Sequence, residues 1–399
     1  MRLLKLIFIV FILMFPIAEV GRIQLSNGIA ISLNDILLLS VILVWTLSHI
    51  LQKRKFVPGK LFKPVVIFSL IGLISLLINF PNLGINNLLI SSLYLARWVA
   101  YALIYVIVNE FEPKFKHKIS YLLLVSGSFV IALGYIQFFF YPSLRNLYYL
   151  GWDEHLYRMF SSFLDPNFAG AFFVLFFLFS LGFVFKHLQK KETYKTLIVS
   201  VIAIASLIAV YLTYSRSALL MLVVGVVTYL IIKKQKKLIL IALIGLIAII
   251  FIMPKSFTTE GTNLLRFASS NERISSLQTG IKIFQKSPIL GVGFNAYRYA
   301  QYKIGMNGNY WQVTHSGGGT DNGFLFVLTT TGVVGLIAFV YLLLNIFSLA
   351  KKSFKNNIFA VVLFSGLVGL ILNGLFINSL FYVLILEWIW IVAAFTENS

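Results

Sequence analysis

The hydrophobic residues of this chain are gathered into long runs. About twelve of them lie at roughly 3–18, 29–51, 61–80, 88–109, 119–141, 163–185, 194–212, 217–232, 238–253, 322–349, 357–373 and 380–396. Most reach the ~20 residues that a helix needs to cross ~30 Å of hydrocarbon. Helix is the assignment for each, because a backbone buried in lipid has to satisfy its own N–H and C=O groups. A membrane barrel would show ~10-residue alternating strands, and the sequence has no such pattern. The expectation is an all-α integral membrane protein of about 12 transmembrane helices, a single polytopic domain over 1–399. The first run follows Arg2 and Lys5 as a signal sequence would, but PIAEVG behind it is a poor cleavage site. It is read as a retained first span.

The polar connections alternate in charge. Lys53, Arg54 and Lys55, then Lys114, Lys116 and Lys118, then Lys186, Lys190 and Lys191, and later Lys233, Lys234, Lys351 and Lys352 fall on one side. The positive-inside rule puts that side, and both termini, in the cytoplasm. Two connections on the other side are long: a short outer loop at 142–162, and a long one at 254–321 ahead of the tenth span. Long loops in compact proteins are commonly functional. Within the second, Ile274, Leu277, Ile281 and Phe284 recur at spacings of three and four. This predicts an amphipathic helix on the outer face, ended by Pro288 and Gly291.

Composition agrees. Of 399 residues, 59% are hydrophobic and 12% charged, and the mean hydropathy is +0.91, which excludes an ordinary soluble enzyme. The formal net charge of +20 would suggest nucleic acid in a soluble protein. Here the basic residues follow topology and attraction to anionic membrane lipids, so no nucleic-acid partner is expected. With no cysteine, disulfides, thiolate nucleophiles and cysteine-ligated metals are excluded.

The candidate chemistry lies in a few polar residues. Arg97 sits within ISSLYLARWVAYALIYVIV. A cation at that depth costs about 2.5–3.5 kcal/mol to insert and needs a partner or a wet cavity. One reading pairs it with Glu387; the other lines an anionic headgroup site with it. Arg216 opens a span in LTYSRSALL, where Ser215 or Ser217 is positioned to cap the helix. An arginine at a helix start opposes the macrodipole unless an anion such as phosphate is bound there. Arg273 opens the amphipathic helix, and Arg158 ends the short outer loop. Asp165, followed by Pro166, reads as a helix N-cap. THSGGGTDNGF places His315, Asp321 and Asn322 at the outer start of a span. Asp321 is either a cap or a carboxylate base kept ionised by the helix start, and His315 is the alternative base. No Walker A, GxGxxG, HExxH, GxSxG or Asp-x-Asp motif occurs, so no metal site and no cofactor are expected.

Four stretches in order, RMFSSFLDPNFAGAFF, LTYSRSALL, RISSLQTGIKIFQKSPILGVGFNAY and TDNGFLFVLTTTGVVGLIAF, resemble the O-antigen ligase and polymerase family of bacterial envelope proteins. The resemblance covers roughly 155–345. It implies a multi-pass, GT-C type glycosyltransferase of the bacterial plasma membrane with its site on the extracytoplasmic face. The implied substrates are an undecaprenyl-diphosphate-linked oligosaccharide and a glycan acceptor, and a chain-length regulator is a possible partner. It implies that Arg216 and Arg273 contact the diphosphate, with Arg158, Arg97 and Asn322 as further substrate-binding candidates. Ligases of the family carry a histidine directly before the Asn of the final motif; here that position is Asp321, with His315 six residues earlier. This departure favours a metal-independent, inverting polymerase of surface polysaccharide repeats, with ligase as the near alternative and a lipid-linked-glycan flippase as the alternative of another class. The base stays open between Asp321 and His315.

Overall fold

The computed structural model describes residues 1–26, 29–241, 244–245, 268–305 and 318–397. The chain opens with α1 (Arg2–Met14), a 3-10 turn over Phe15–Gly21, and a hairpin of β1 (Arg22–Ser26) and β2 (Ile29–Ser32). The helices then follow as α2 (Leu33–Gln52), α3 (Phe62–Ile78), α4 (Phe80–Asn109), α5 (Pro113–Phe140), α6 (Pro166–Gln189), α7 (Thr193–Leu212) and α8 (Arg216–Ile232). After them come α9 (Ala268–Lys286), α10 (Tyr297–Lys303), α11 (Gly323–Lys352), α12 (Ile358–Gly374) and α13 (Val383–Ala394).

Among the described residues, α2, α4, α5, α6, α7 and α11 are long and apolar enough to cross a membrane, whereas α3, α8, α12 and α13 are apolar but shorter. The protein is therefore an all-α, multi-pass membrane protein. The expected count of twelve spans is not matched one for one. The run at 238–253 falls largely outside the described residues. A 17-residue helix such as α3 rises only about 25 Å. The second expected span also starts late: 29–32 pair as strand β2, and Ser32 with Asp35 forms a capping box that starts α2 at Leu33. The outward faces keep their apolar side chains, with Leu43, Phe129, Ile136 and Ile337 all exposed, as expected of surfaces solvated by lipid.

The centre of the bundle is aromatic. Trp388 of α13 is buried among Phe15, Phe172, Phe176 and Phe179. Small residues let helices close in, as is usual in membranes. A Cβ on Gly369 of α12 would meet the Met221 carbonyl oxygen at 2.8 Å, and Gly369 also faces Gly225 of α8. The N-terminal end of α8, whose first residue is Arg216, is thereby set against α6 and α12.

A second device fixes the segment ahead of α11. Helix α11 is interrupted at Gly332, with φ 70° and ψ −171°. The segment 288–293 fills the gap with main-chain hydrogen bonds. Val292 N donates to Thr329 O (3.0 Å) and Gly293 N to Thr330 O (3.0 Å), while Val333 N donates to Pro288 O (2.9 Å). The fit is tight: a Cβ on Gly332 would sit 2.1 Å from Ile289 O, and one on Gly291 2.3 Å from the Thr330 carbonyl carbon. From α3, the Ser75 hydroxyl donates to Leu290 O and Thr330 O, and Asn79 Nδ2 donates to Gly291 O. The carbonyls and amides that a broken helix exposes are thus satisfied within protein, as a bilayer requires.

Candidate active site

The site is built from the turn between α7 and α8 upward. Arg158 is 4% exposed. Its Nε donates to Thr213 O (2.9 Å) and its Nη2 to Asn167 Oδ1 (3.3 Å). The same amide oxygen accepts from Ser215 Oγ at 3.0 Å. Arg158 and Asn167 therefore bolt the motif around α6 to the turn before α8. Asp165 caps α6, as its sequence context predicts: Oδ1 accepts from Asn167 N (2.6 Å) and Phe168 N (3.3 Å). The cap expected from Ser215 or Ser217 is not made. Ser215 occupies the N-cap position, but its side chain is committed to Asn167, and α8 has no side-chain cap. Half-buried Arg216 is the first residue of that helix.

Helix α9 is the amphipathic helix read from the loop sequence. Its Ile274, Leu277 and Ile281 are exposed, while a second face carrying Ser276, Gly280 and Ile283 packs toward α11. A Cβ on Gly280 would meet Leu325 at 2.5 Å, so glycine lets the two helices touch there. This contact brings Ser276 to Asp321, whose N–H donates to Ser276 Oγ at 3.2 Å. Asn322 is the N-cap of α11, with its Oδ1 accepting from Phe324 N and Leu325 N at 2.9 Å each. Asp321 is therefore not the cap, and the expectation that the helix start holds its proton affinity down is corrected. Burial raises the Asp321 pKa above the usual carboxylate range, Arg273 opposes the rise, and Glu272 and Asp165 add to it. Burial lowers the pKa of Arg273; Asp321 opposes that, and Arg216 adds to the lowering. Arg216, Arg273, Asp165 and Asp321 thus share one electrostatic field near the N-terminal ends of α8, α9, α6 and α11.

Arg97 lies elsewhere. It does not pair with Glu387. Its Nε and Nη2 donate to the two carboxylate oxygens of Asp35 at 2.8 and 2.7 Å, and Tyr101 donates to the same carboxylate at 3.1 Å. Glu387 accepts instead from Asn34 Nδ2 at 3.1 Å. Asp35 wins because the capping box of α2 already orients its carboxylate toward α4. His315 falls outside the described residues. Trp152, in the connection at 142–162, packs against Leu144, Phe160 and Leu164.

Sequence reasoning passed over several polar residues near these groups. His155 Nε2 lies 3.8 Å from Asp165 Oδ2. Its stretch holds His155, Tyr157, Ser161 and Leu164 at positive φ, a density of strain that concentrates at functional sites. Arg22 pairs with Glu19 at 3.3 Å. Arg298 is on α10, near Arg22 and Tyr94. The only sequence signal for Arg298 was its place directly after the GVGFNAY stretch. Among the described residues, no group of three His, Asp, Glu or Cys side chains is placed to hold a metal ion.

No curated protein matches the chain. Residues 200–340 match the family model described as O-Antigen ligase, a stretch that runs from α7 through Arg216, α9 and Asp321 into α11. Over that stretch the chain is similar to the O-antigen ligase family, in line with the resemblance of its motifs.

Proposed function

We propose that this protein polymerises undecaprenyl-diphosphate-linked oligosaccharide repeats on the outer face of the bacterial plasma membrane. One observation supports the reading above the rest: three separate motifs converge so that Arg273 lies in the field of both Arg216 and Asp321. Two guanidiniums held close repel, and a diphosphate relieves that repulsion while accepting their hydrogen bonds. The uncapped start of α8 adds N–H groups and a positive dipole end to the same anion.

The reaction follows from those positions. The hydroxyl of an acceptor repeat attacks the anomeric carbon of the donor glycan from the face opposite the diphosphate. The new C–O bond forms as the bond to the phosphate oxygen breaks, and the configuration inverts. Arg216 and Arg273 stabilise the charge growing on the departing prenyl diphosphate. The proton of the attacking hydroxyl passes to Asp321, whose raised pKa makes it a stronger base than an ordinary carboxylate. Arg158 acts at one remove, by holding the turn that presents Arg216. His315 remains the alternative base. Arg97, satisfied by Asp35, is assigned a supporting role in the α2–α4 wall.

The ligase reading has its own support in the description of the matched family; there the acceptor is a lipid or protein outside the repeat pool. Deleting the gene and resolving the surface glycan on a gel separates the readings. Single repeats on the final acceptor mean polymerase. Full-length chains left on the lipid carrier mean ligase. Loss of all outward glycan means flippase.

A further inference from the structure

Two cations and a base make up the proposed site, and neither kind of group is an acid for the leaving diphosphate. A guanidinium balances charge without giving up a proton. The oxygen that leaves the anomeric carbon becomes a terminal phosphate oxygen, which takes its last proton near pH ~6, the range in which histidine exchanges one. Among the described residues, His155 is the histidine set against the motifs of this site. Its Nε2 lies 3.8 Å from Asp165 Oδ2, while Oδ1 of the same carboxylate is committed to the α6 cap. The backbone holds the ring in place. His155 is at φ 47°, a conformation that a residue with a Cβ seldom adopts. Bonds on both sides fix it: Leu144 N donates to Glu154 O (2.8 Å), Tyr157 N to Pro142 O (2.8 Å) and Arg158 N to His155 O (3.2 Å). The same segment is tied to the turn before α8. Met159 N donates to Leu212 O (2.9 Å), and Arg158 donates to Thr213 O and Asn167 Oδ1. Asn167, two residues after Asp165, accepts from Ser215, the neighbour of Arg216. One side-chain hydrogen bond therefore joins the stretch carrying Asp165 to the stretch carrying Arg216.

We infer that His155 is the proton donor of this site: Asp165 holds Nε2 of its ring, and Nδ1 gives a proton to the diphosphate oxygen as that oxygen leaves the anomeric carbon. The inference rests on the transferase reading, polymerase or ligase alike, and adds an acid to it. A carboxylate on one ring nitrogen orients the ring and balances the charge of the imidazolium, and the other nitrogen serves the reacting group. The protons balance. The acceptor hydroxyl's proton ends on Asp321, the proton of His155 ends on the prenyl diphosphate, and exchange with water returns both residues to their starting states. His155 is the catalytic residue and Asp165 its positioning residue. The charged and titratable groups around the pair are Glu154 and Arg158 in its own segment, with Arg273, Asp321 and Tyr382 in the field of Asp165.

Initial rates of glycan transfer by the full-length protein are measured from about pH 5 to about pH 9, across the range in which histidine titrates, with defined undecaprenyl-diphosphate-linked repeats. Two variants are compared at matched amounts. His155→Asn replaces the ring with a residue that tolerates positive φ. Asp165→Asn keeps a side chain that caps α6 and removes the charge. An acid that works only when protonated gives the native profile a basic limb, with kcat falling as pH rises. His155→Asn is expected to lose that limb and about 100-fold in kcat, with KM for the donor little changed. Asp165→Asn is expected to move the limb to lower pH, because the imidazolium has lost its counter-charge. Loss of a helix cap alone would not move it. A native profile without a basic limb, or a limb left in place by His155→Asn, overturns the proton donor while the transferase reading stands. Should His155→Asn fail to accumulate, an unmoved limb in Asp165→Asn overturns it instead. A native protein that transfers no glycan at any pH defeats the transferase reading, and this inference with it.

Discussion

At the scale of single residues, the candidates were legible to different degrees. Asp165 was readable as a cap because Asp-Pro at a helix start has one dominant use. Arg216 was readable because a cation at a helix start conflicts with the dipole, and an anion resolves the conflict; Arg273 stood out only through the family resemblance, and it lies inside α9, which begins at Ala268, rather than opening the helix as its sequence context predicts. Arg97 was visible as a buried cation, but its partner was not. Asp35 and Glu387 are both acids near spans, and only the packing of α2 against α4 chooses between them. Two predictions belong here. Arg216→Gln is expected to insert normally and to lose about 100-fold or more in kcat/KM, the scale for removing one donor to a developing charge. Asp321 acts as a base only when ionised, and burial raises its pKa. The acid limb of kcat/KM is therefore expected to lie above the ordinary carboxylate range near ~4, with activity rising as pH rises through it. Asp321→Asn is expected to remove that limb together with most of the rate. A profile flat down to pH ~4 would contradict the assignment.

At the scale of elements, hydropathy located the helices but not their interruptions. The sequence pair Asn27–Gly28 between short alternating stretches is a known hairpin signal, yet the apolar run beginning at 29 hid β2 inside an apparent span. Gly332 reads as an unremarkable residue in TTTGVVG. Its role depends on the 288–293 segment reaching the α11 break across the fold, which no local pattern records. The clasp yields a direct prediction. Gly332→Ala places a side chain at φ 70°, costing roughly 1–2 kcal/mol in backbone strain alone, and drives a carbon into Ile289 O. A lower detergent unfolding temperature is expected, with a larger drop than for Gly305→Ala, where φ is also positive (70°) but no atom lies within 4 Å. Equal shifts would mean that the clasp contributes nothing beyond backbone strain. Gly280→Leu should push α9 from α11 and reduce activity while leaving the spans inserted.

For the whole molecule, the long apolar runs and the alternating lysines outlined a multi-pass membrane protein. They did not outline the depth at which each polar group sits, because depth follows from packing. The chain has no native cysteine, so single introduced cysteines report topology without background. Gln278→Cys on α9 is expected to react with a membrane-impermeant maleimide on intact spheroplasts, and Lys355→Cys only after permeabilisation; the reverse pattern would place the site in the cytosol. The central claim is that Arg216 and Arg273 together hold the diphosphate that leaves. Its most direct measurement is glycan transfer by the purified protein from defined undecaprenyl-diphosphate-linked repeats, with chain length read on a gel and chelator present throughout. The account predicts long chains from the native protein and single repeats from either Arg216→Gln or Arg273→Gln, both folded. Native-length chains from both variants would contradict it.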